Sequence, residues 1–349
     1  MTPTTKDIEL LNSLYEGRKA YHGELHDHAK TGGTSDGKRP LSHWLGAMEA
    51  LELDFAAILD HRQVRHMYEP EWQDGTFIGG SEPGTRILDI DAENNGLHYN
   101  MIFEGPDPLE ELLDRFPEFE FEGGREGHFK YPKFTRERFC ELVDTVMELG
   151  GFFVHPHPKQ VMVSDDPLNY LFRERTGIEV FYISADSEET KANYELYVEL
   201  LALGKQVFSC AGGDEHSCCH DKAITTIYAA EKKNSAYIDR LRHGDFVCGG
   251  VGIKMCIGDT LMGGECDFSG KRAVISVGDF HKRYANSEHT FRLDVISDKG
   301  VIASREFSSD EEIFVALDVP TECQFIRTEV FDVNKELRIA LGNPIWNKK

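Results

Sequence analysis

Three amphipathic helices that each lead into a short apolar strand place the strongest constraint on the fold of this chain. Apolar residues recur at helical spacing from Leu41, from Thr135 and through Tyr194, a pattern typical of helices that cover a sheet. The strands that follow are FAAIL at 55–59, FFV at 152–154 and QVFSCAGG at 206–213. Because alternating helices and strands favour a parallel sheet, we predict an α/β fold.

The sequence changes character after about residue 245. Alternating β-type runs such as AVISV, TFRLDVI and FIRTEVF follow, separated by turn signals such as SDKG. We therefore predict three parts. They are an N-terminal helical extension at 1–20, an α/β unit at 21–245, and a β-rich segment at 246–349 that packs against it as a small sandwich or sheet.

Composition narrows the classes of partner and compartment. The net charge of −23, from 61 acidic and 38 basic residues, repels a phosphate backbone, so nucleic acid is predicted to be an unlikely partner. The N-terminal residues lack a basic start followed by an apolar stretch, and no run approaches about 18 apolar residues. We predict a cytoplasmic protein that does not span a membrane, with eight cysteines as reduced thiols.

Potential metal ligands follow the predicted strands. His61 follows FAAIL, His155 and His157 follow FFV, and Asp214 and His216 follow QVFSCAGG. Ligands bind at the carboxyl ends of parallel strands, and imidazole with carboxylate suits zinc, manganese or iron. Each motif alone has an ordinary structural explanation, such as a turn or a core histidine. Their conjunction predicts a metal site.

The same motifs, in order along the chain, resemble the PHP (polymerase and histidinol phosphatase) superfamily over residues 20 to about 220. The residues that carry the resemblance are His26 and His28 in GELHDH, Asp36 in TSDG, Asp60 and His61 in ILDHR, Glu82 in GGSEPGT, His98 in GLHYN, His155 in FVHPHP, and Asp214 and His216 in GGDEH. The tail ALGNPIW at 340–346 also resembles the C-terminal β segment of carbaryl-hydrolase-like members.

This resemblance implies a distorted (β/α)7 barrel, similar to a TIM barrel, that holds two or three divalent ions of zinc, manganese or iron. The implied ligands are His26, His28 and Asp214 for one ion, His98 and His155 for a second with Glu82 as the bridge, and Asp36, His61 and His216 for a third. The stretch between His28 and Asp36 is longer than the usual family spacing. The acidic run Asp89, Asp91 and Glu93 is an alternative to Glu82.

The implied activity is hydrolysis. Two close cations lower the pKa of a bridging water from about 15.7 towards about 7, which yields a hydroxide nucleophile at neutral pH. We expect a phosphoesterase acting on a small, anionic, phosphorylated metabolite. A carbamate or carboxylic ester hydrolase and a non-catalytic metal-binding or ligand-binding module are the alternatives. Substrate contacts are predicted from Arg62 first, then Lys30, Arg65 and Lys159, and His157 is the candidate acid for the leaving group.

Overall fold

The computed structural model describes residues 2–92, 94–119, 131–309 and 311–348. Its α-helices are α1 Thr5–Leu14, α2 Leu41–Leu51, α3 Pro106–Arg115, α4 Arg136–Glu148, α5 Pro158–Val161, α6 Glu188–Ala202 and α7 Asn234–His243. Its strands are β1 Lys19–Asp27, β2 Phe55–Ile58, β3 Phe77–Ser81, β4 Gly84–Ile87, β5 Gly96–His98, β6 Asn100–Phe103, β7 Lys133–Phe134, β8 Phe152–His155, β9 Gly177–Tyr182, β10 Phe208–Gly212, β11 Thr225–Ala229, β12 Phe246–Gly249, β13 Val251–Ile257, β14 Thr260–Leu261, β15 Glu265–Cys266, β16 Arg272–Phe280, β17 Phe291–Ser297, β18 Gly300–Phe307, β19 Ile313–Asp318, β20 Phe325–Asp332 and β21 Leu337–Asn347.

The three helix–strand units predicted from the sequence are confirmed as α2–β2, α4–β8 and α6–β10. Side-chain caps start two of these helices. The Thr135 hydroxyl accepts a hydrogen bond from the backbone N–H of Arg138, and the Ser187 hydroxyl accepts one from that of Thr190. Because a capped first turn satisfies backbone donors that the helix leaves free, both helices begin at a defined residue.

A mixed α/β architecture surrounds one large sheet. The sheet has 14 strands, in the order β10-β9-β8-β6-β3-β2-β1-β11-β12-β21-β20-β17-β18, with β15 attached to β21. Pairing is parallel for β1 with β2, β2 with β3, β8 with β9 and β9 with β10, whereas β6 is antiparallel to both of its neighbours. The strands β1, β2, β3, β8, β9 and β10 therefore run in one direction, and their carboxyl ends share one edge.

The closed barrel that we predicted is not present among the described residues. Strand β1 pairs with β2 on one side and, over Lys19–Gly23, with the antiparallel β11 on the other. Only the end of β1 remains for β10, where an isolated bridge joins Asp27 to Glu215 and the His26 carbonyl accepts from the Asp214 N–H at 2.8 Å. Because β11 occupies the edge that closure needs, the sheet stays open.

The described residues after 245 form strands β12 to β21, and these strands do not stand apart from the rest of the fold. Strands β12, β21, β20, β17 and β18 continue the large sheet, and β14-β13-β16-β19 form a second sheet of four strands. A shared core lies between them, with Ile253 and Ile275 from the second sheet and Leu293 and Ile345 from the first. Helix α1 packs through Leu11 in a smaller cluster that includes strands of the second sheet.

Two further features concern the whole described chain. No helix in the residues described is both long and apolar enough to cross a membrane. All eight cysteines are free thiols.

Candidate metal centre

Three groups of ligand-type side chains lie together at the shared edge of the parallel strands. Within each group, the nitrogen and oxygen atoms lie within 4.8 Å of one another. The first group is His26, His28, Glu82 and Asp214; the second is Glu82, His98 and His157; the third is His28, Asp36, His61 and His216.

The first group forms where β1 ends and the segment after β10 begins. His26 and His28 are two residues apart, so an extended backbone directs both rings to the same side. The Asp214 Oδ1 lies 3.2 Å from the His28 Nε2 and 3.5 Å from the His26 Nε2. Asp214 itself has a φ of +53°, a conformation that costs energy for a residue with a Cβ and that concentrates at functional sites.

Glu82 joins the first and second groups through its two oxygens. Its Oε2 lies 3.3 Å from the His28 Nε2 and 3.5 Å from the His26 Nε2. Its Oε1 lies 2.9 Å from the His98 Nδ1 and 3.1 Å from the His157 Nε2. The Glu82 residue is only 1% exposed. A carboxylate that presents one oxygen to each of two ligand groups has the geometry of a bridge.

The acidic run proposed as an alternative to Glu82 lies elsewhere. Asp89 is exposed and accepts a hydrogen bond from the backbone N–H of Arg136 at 2.6 Å. Asp91 is also exposed. Glu93 is outside the described residues. Neither described member of the run belongs to any of the three groups.

The third group depends on Asp36, which lies in the long loop after β1. Its Oδ1 is 3.2 Å from the His216 Nε2, and its Oδ2 is 3.4 Å from the His61 Nε2. The His28 ring stacks against the His216 ring, with centroids 4.4 Å apart. His28 therefore contributes to the third group as well as to the first.

The stretch between His28 and Asp36 is longer than the usual family spacing, but its own hydrogen bonds keep Asp36 near the histidines. The Thr31 hydroxyl donates to the buried Asp60 carboxylate, and the Thr34 hydroxyl donates to the His61 carbonyl. Asp60 also accepts from the Ala29 N–H at 2.9 Å. These bonds fold the loop back onto the end of β2 and bring Asp36 to the histidines.

His155 does not lie with the residues that it was predicted to join. It is fully buried, and its ring packs against Phe172 at a centroid distance of 4.0 Å and against Phe153 at 5.0 Å. Neither ring nitrogen has a hydrogen-bond partner among the described residues. Burial lowers the pKa of His155 to about 3, so this imidazole is neutral at physiological pH.

His157 occupies the position that we predicted for His155. It follows β8 with a φ of +28°, and its ring lies parallel to that of His26, with centroids 5.7 Å apart. The turn after β8 redirects the chain, so the alternation of a regular strand no longer places residues 155 and 157 on one side. In place of the predicted acid, the structure has His157 beside Glu82 as a potential ligand.

The three groups fit divalent cations chemically. They contain only imidazole nitrogens and carboxylate oxygens, the donors that zinc, manganese and iron accept. The His28 Nδ1 is buried without a hydrogen-bond partner among the described residues. Because this nitrogen lies 4.0 Å from the Asp36 Oδ1 of the third group, a cation there would supply the partner that it lacks.

The pKa values of the ligand-type side chains show which of them bind protons in the absence of cations. Burial alone would lower the pKa of His26, but Glu82, Asp214 and Glu179 outweigh it and raise that pKa well above its usual value. Burial also opposes protonation of His28, yet hydrogen bonds to Asp214 and Glu82 raise its pKa to about 9. Burial would raise the pKa of Glu82, but His98 and His26 hold it well below the usual range. Cation binding must therefore release protons.

Glu179 is a buried carboxylate that the sequence analysis missed. Its Oε1 is 3.1 Å from the His26 Nδ1, and its Oε2 accepts a hydrogen bond from the backbone N–H of His157 at 2.9 Å. Gly212 makes room for it, since a Cβ there would lie 2.2 Å from the Glu179 Oε1. The available signal was a single charged residue inside the otherwise apolar strand GIEVFY.

Tyr182 is a second missed residue. Its hydroxyl donates to the Asp214 Oδ2 at 2.9 Å, and its ring lies 4.8 Å from the His157 ring. It comes from the end of β9, the same strand that carries Glu179. Both residues hold potential ligands in place without belonging to any of the three groups.

Replacing Glu179 by glutamine is expected to weaken metal binding by about 10- to 100-fold, because partners that orient ligating histidines typically contribute that much. The His26 ring and the His157 N–H face different oxygens of Glu179, and glutamine replaces one of these oxygens by an NH2 group that cannot accept. Competition with a chromophoric chelator measures the affinity. Glu195→Gln, at an exposed site on α6, is the matched control. Unchanged affinity in Glu179→Gln would contradict this orienting role.

A cavity of about 270 Å³ opens beside the three groups. It is lined by Asp36, His61, Arg62, Glu82, Gly84, His98, Tyr131, Asp214 and His216. Arg62, the first predicted substrate contact, is therefore at the cavity wall. Lys30 is exposed and, like Arg65 and Lys159, is not among the described residues that line it.

No protein-family model and no curated protein matches this chain. Among solved structures, the chain is similar to a two-domain protein from Bacteroides vulgatus described as containing a predicted PHP-like metal-dependent phosphoesterase. The identity is 12%, the TM-score is 0.41, and the match covers 95% of this chain and 96% of that chain. The resemblance of the tail to carbaryl-hydrolase-like proteins stays a prediction.

The chain is also similar to endonuclease Q, in a complex with a 27-mer duplex substrate that has an abasic lesion at the active site. The identity is 13% and the TM-score 0.42, with 64% of this chain and 57% of that chain covered. The lesion-specific endonuclease Q of Pyrococcus furiosus matches with 13% identity and a TM-score of 0.40, over 64% of this chain and 56% of that chain.

The prediction that nucleic acid is an unlikely partner is withdrawn; in one of the similar structures, endonuclease Q is bound to a duplex. The error lies in using the charge of the whole chain. A net charge of −23 averages over the entire surface, whereas the potential at a cleft is set by the groups and bound ions that line it. Net charge therefore does not exclude this class of substrate.

Proposed function

We propose that this protein is a divalent-metal-dependent hydrolase that cleaves phosphoesters. The observation that carries the proposal is the sharing of ligands. Glu82 belongs to the first and second groups, and His28 belongs to the first and third. Shared ligands imply neighbouring cations, and many phosphatases and nucleases use pairs of closely spaced cations. We propose three cation positions, one for each group.

The ligands proposed for these positions are those of the three groups, with His157 in place of His155. The set combines imidazole and carboxylate in every group, which suits zinc, manganese or iron. When bound, such cations activate water and polarise the phosphoryl oxygens. Glu82 would contribute one oxygen to each of the first two positions, since its two oxygens face different histidines.

Arg62 is the proposed contact for the phosphate group. It lines the cavity beside Asp36 and His216, and a guanidinium can form two parallel hydrogen bonds with phosphate oxygens. Its φ of +49° turns the chain directly after His61. Tyr182 and Glu179 act through the ligands that they hold, Asp214 and His26.

Metal removal tests the proposal. Chelator-treated protein is expected to lose at least about 100-fold of its turnover of p-nitrophenyl phosphate or its diester, and stoichiometric zinc, manganese or iron should restore it. Elemental analysis of the protein as purified gives the number of ions per chain, for which we expect three.

The substrate panel also contains p-nitrophenyl acetate, an aryl carbamate and a duplex oligonucleotide with an abasic site. Metal-dependent turnover of the acetate or carbamate without any phosphoester would replace the proposal with the ester-hydrolase alternative. Cleavage of the duplex alone would keep the reaction type and assign a nucleic-acid substrate. Protein that carries its metals and turns over nothing would support a non-catalytic binding module.

A further inference from the structure

One wall of the cavity beside the three groups is an aromatic ring that the proposed function does not use. Tyr131 lines the cavity together with Arg62, His98 and Gly84. The Tyr131 residue is 46% exposed, whereas Glu82, on the same cavity, is 1% exposed. An aromatic side chain that remains this exposed beside a buried polar centre has surface available for a ligand.

The Tyr131 ring lies directly against Gly84. A Cβ at Gly84 would lie 2.4 Å from the Tyr131 Cε1 and 2.7 Å from its Cδ1, so the ring rests where any larger residue at 84 would displace it. The Tyr131 ring also lies beside that of His98, with centroids 6.2 Å apart. His98 belongs to the second group, so the ring is adjacent to a proposed ligand.

Tyr131 and Arg62 line the same small cavity as the ligand groups. The volume of this cavity is about 270 Å³. Because Arg62, His98 and Tyr131 line the same cavity, we expect a phosphate held by the cations and Arg62 to present its attached group to the wall that Tyr131 forms. The cations and Arg62 would bind the phosphate by charge, and the face of the Tyr131 ring would contact a planar group on the same substrate.

We propose that Tyr131 is a specificity-determining residue that stacks against a planar aromatic group attached to the scissile phosphate, such as an aryl group or a nucleobase. The inference rests on the proposed phosphoesterase function and names the substrate class for the same cavity. Ring–ring contacts favour offset or edge-to-face arrangements. The contribution of one such contact corresponds to about a 10-fold preference.

The test compares kcat/KM for phenyl phosphate and methyl phosphate in the metal-loaded enzyme. In Tyr131→Ala the ratio of phenyl to methyl ester is expected to fall about 10-fold. In Tyr131→Phe, which keeps the ring and removes the hydroxyl, the ratio should stay near that of the wild type. Tyr68→Ala is the matched control, because Tyr68 is 62% exposed and is not among the described residues of the cavity wall.

Two results would overturn the proposal. An unchanged ratio in Tyr131→Ala would show that the Tyr131 ring makes no contact with the aromatic group of the substrate. An equal fall in Tyr131→Phe and Tyr131→Ala would assign the effect to the hydroxyl instead of the ring. Metal content and thermal unfolding of each variant show that the protein is loaded and folded.

Failure of the proposed function is distinguishable from failure of this inference. If the wild type hydrolyses neither of these esters nor any other phosphoester of the substrate panel, the phosphoesterase proposal fails. The ring is then tested by calorimetric binding of phenylphosphonate and methylphosphonate to the metal-loaded protein. Tighter binding of phenylphosphonate that weakens about 10-fold in Tyr131→Ala supports the stacking site, and equal binding to both proteins overturns it.

Discussion

Glu82→Gln is expected to lower phosphoesterase turnover by at least about 100-fold and to reduce the metal content of the purified protein. The Glu82 oxygens face His26 and His28 on one side and His98 and His157 on the other. Glutamine replaces one oxygen by an NH2 group, which offers protons where a cation needs a lone pair. One of the two groups therefore loses the Glu82 oxygen that faces it.

Elemental analysis and steady-state kinetics measure both effects of Glu82→Gln. Glu111→Gln is the matched control, since Glu111 is exposed on α3 and pairs with Arg115 one turn along. We expect that control to retain metal and turnover. Full metal content in Glu82→Gln would show that Glu82 does not bridge cations.

The two histidines of FVHPHP are expected to respond in opposite ways. His157→Ala should lose metal from the second group and reduce turnover about 100-fold, because its Nε2 lies 3.1 Å from the Glu82 Oε1. His155→Leu should keep its metals and retain turnover within about two-fold. Leucine removes two buried nitrogens that have no hydrogen-bond partner among the described residues, and such an exchange is close to neutral for stability.

Metal content, turnover and the melting temperature of each variant separate the two roles. The wild type and both variants are purified under the same conditions, so that any loss of metal comes from the substitution. Loss of metal in His155→Leu together with full metal in His157→Ala would restore His155 as the ligand.

The spacing of apolar residues in the sequence correctly predicted several of the helices and strands that carry the site. The spacing of apolar residues predicted α2–β2, α4–β8 and α6–β10. The positions of His61 and His216 after their strands predicted that these two residues would lie together, as they do in the third group. These features depend on neighbouring residues along the chain, so periodicity encodes them directly. The grouping of Asp36 with His61 and His216 followed the order of the family motifs.

The errors concern contacts between distant segments. Choosing between His155 and His157 required knowledge of the backbone at residue 157, where φ is +28°, and nothing in HPHP specifies that turn. The open sheet depends on β11 pairing with β1, about 200 residues earlier in the chain. Glu179 was hidden because its two partners, His26 and the His157 backbone, lie in other strands and turns.

Strand β11 pairs with β12, and β12 pairs with β21. The large sheet therefore continues across residue 245. A fragment that stops there would leave β11 with a row of unpaired amide and carbonyl groups, the kind of edge that recruits other chains and precipitates. Strands β12 and β21 therefore protect the edge of the sheet next to β11, the neighbour of the strand that positions His26, although both are far from the cavity residues in sequence.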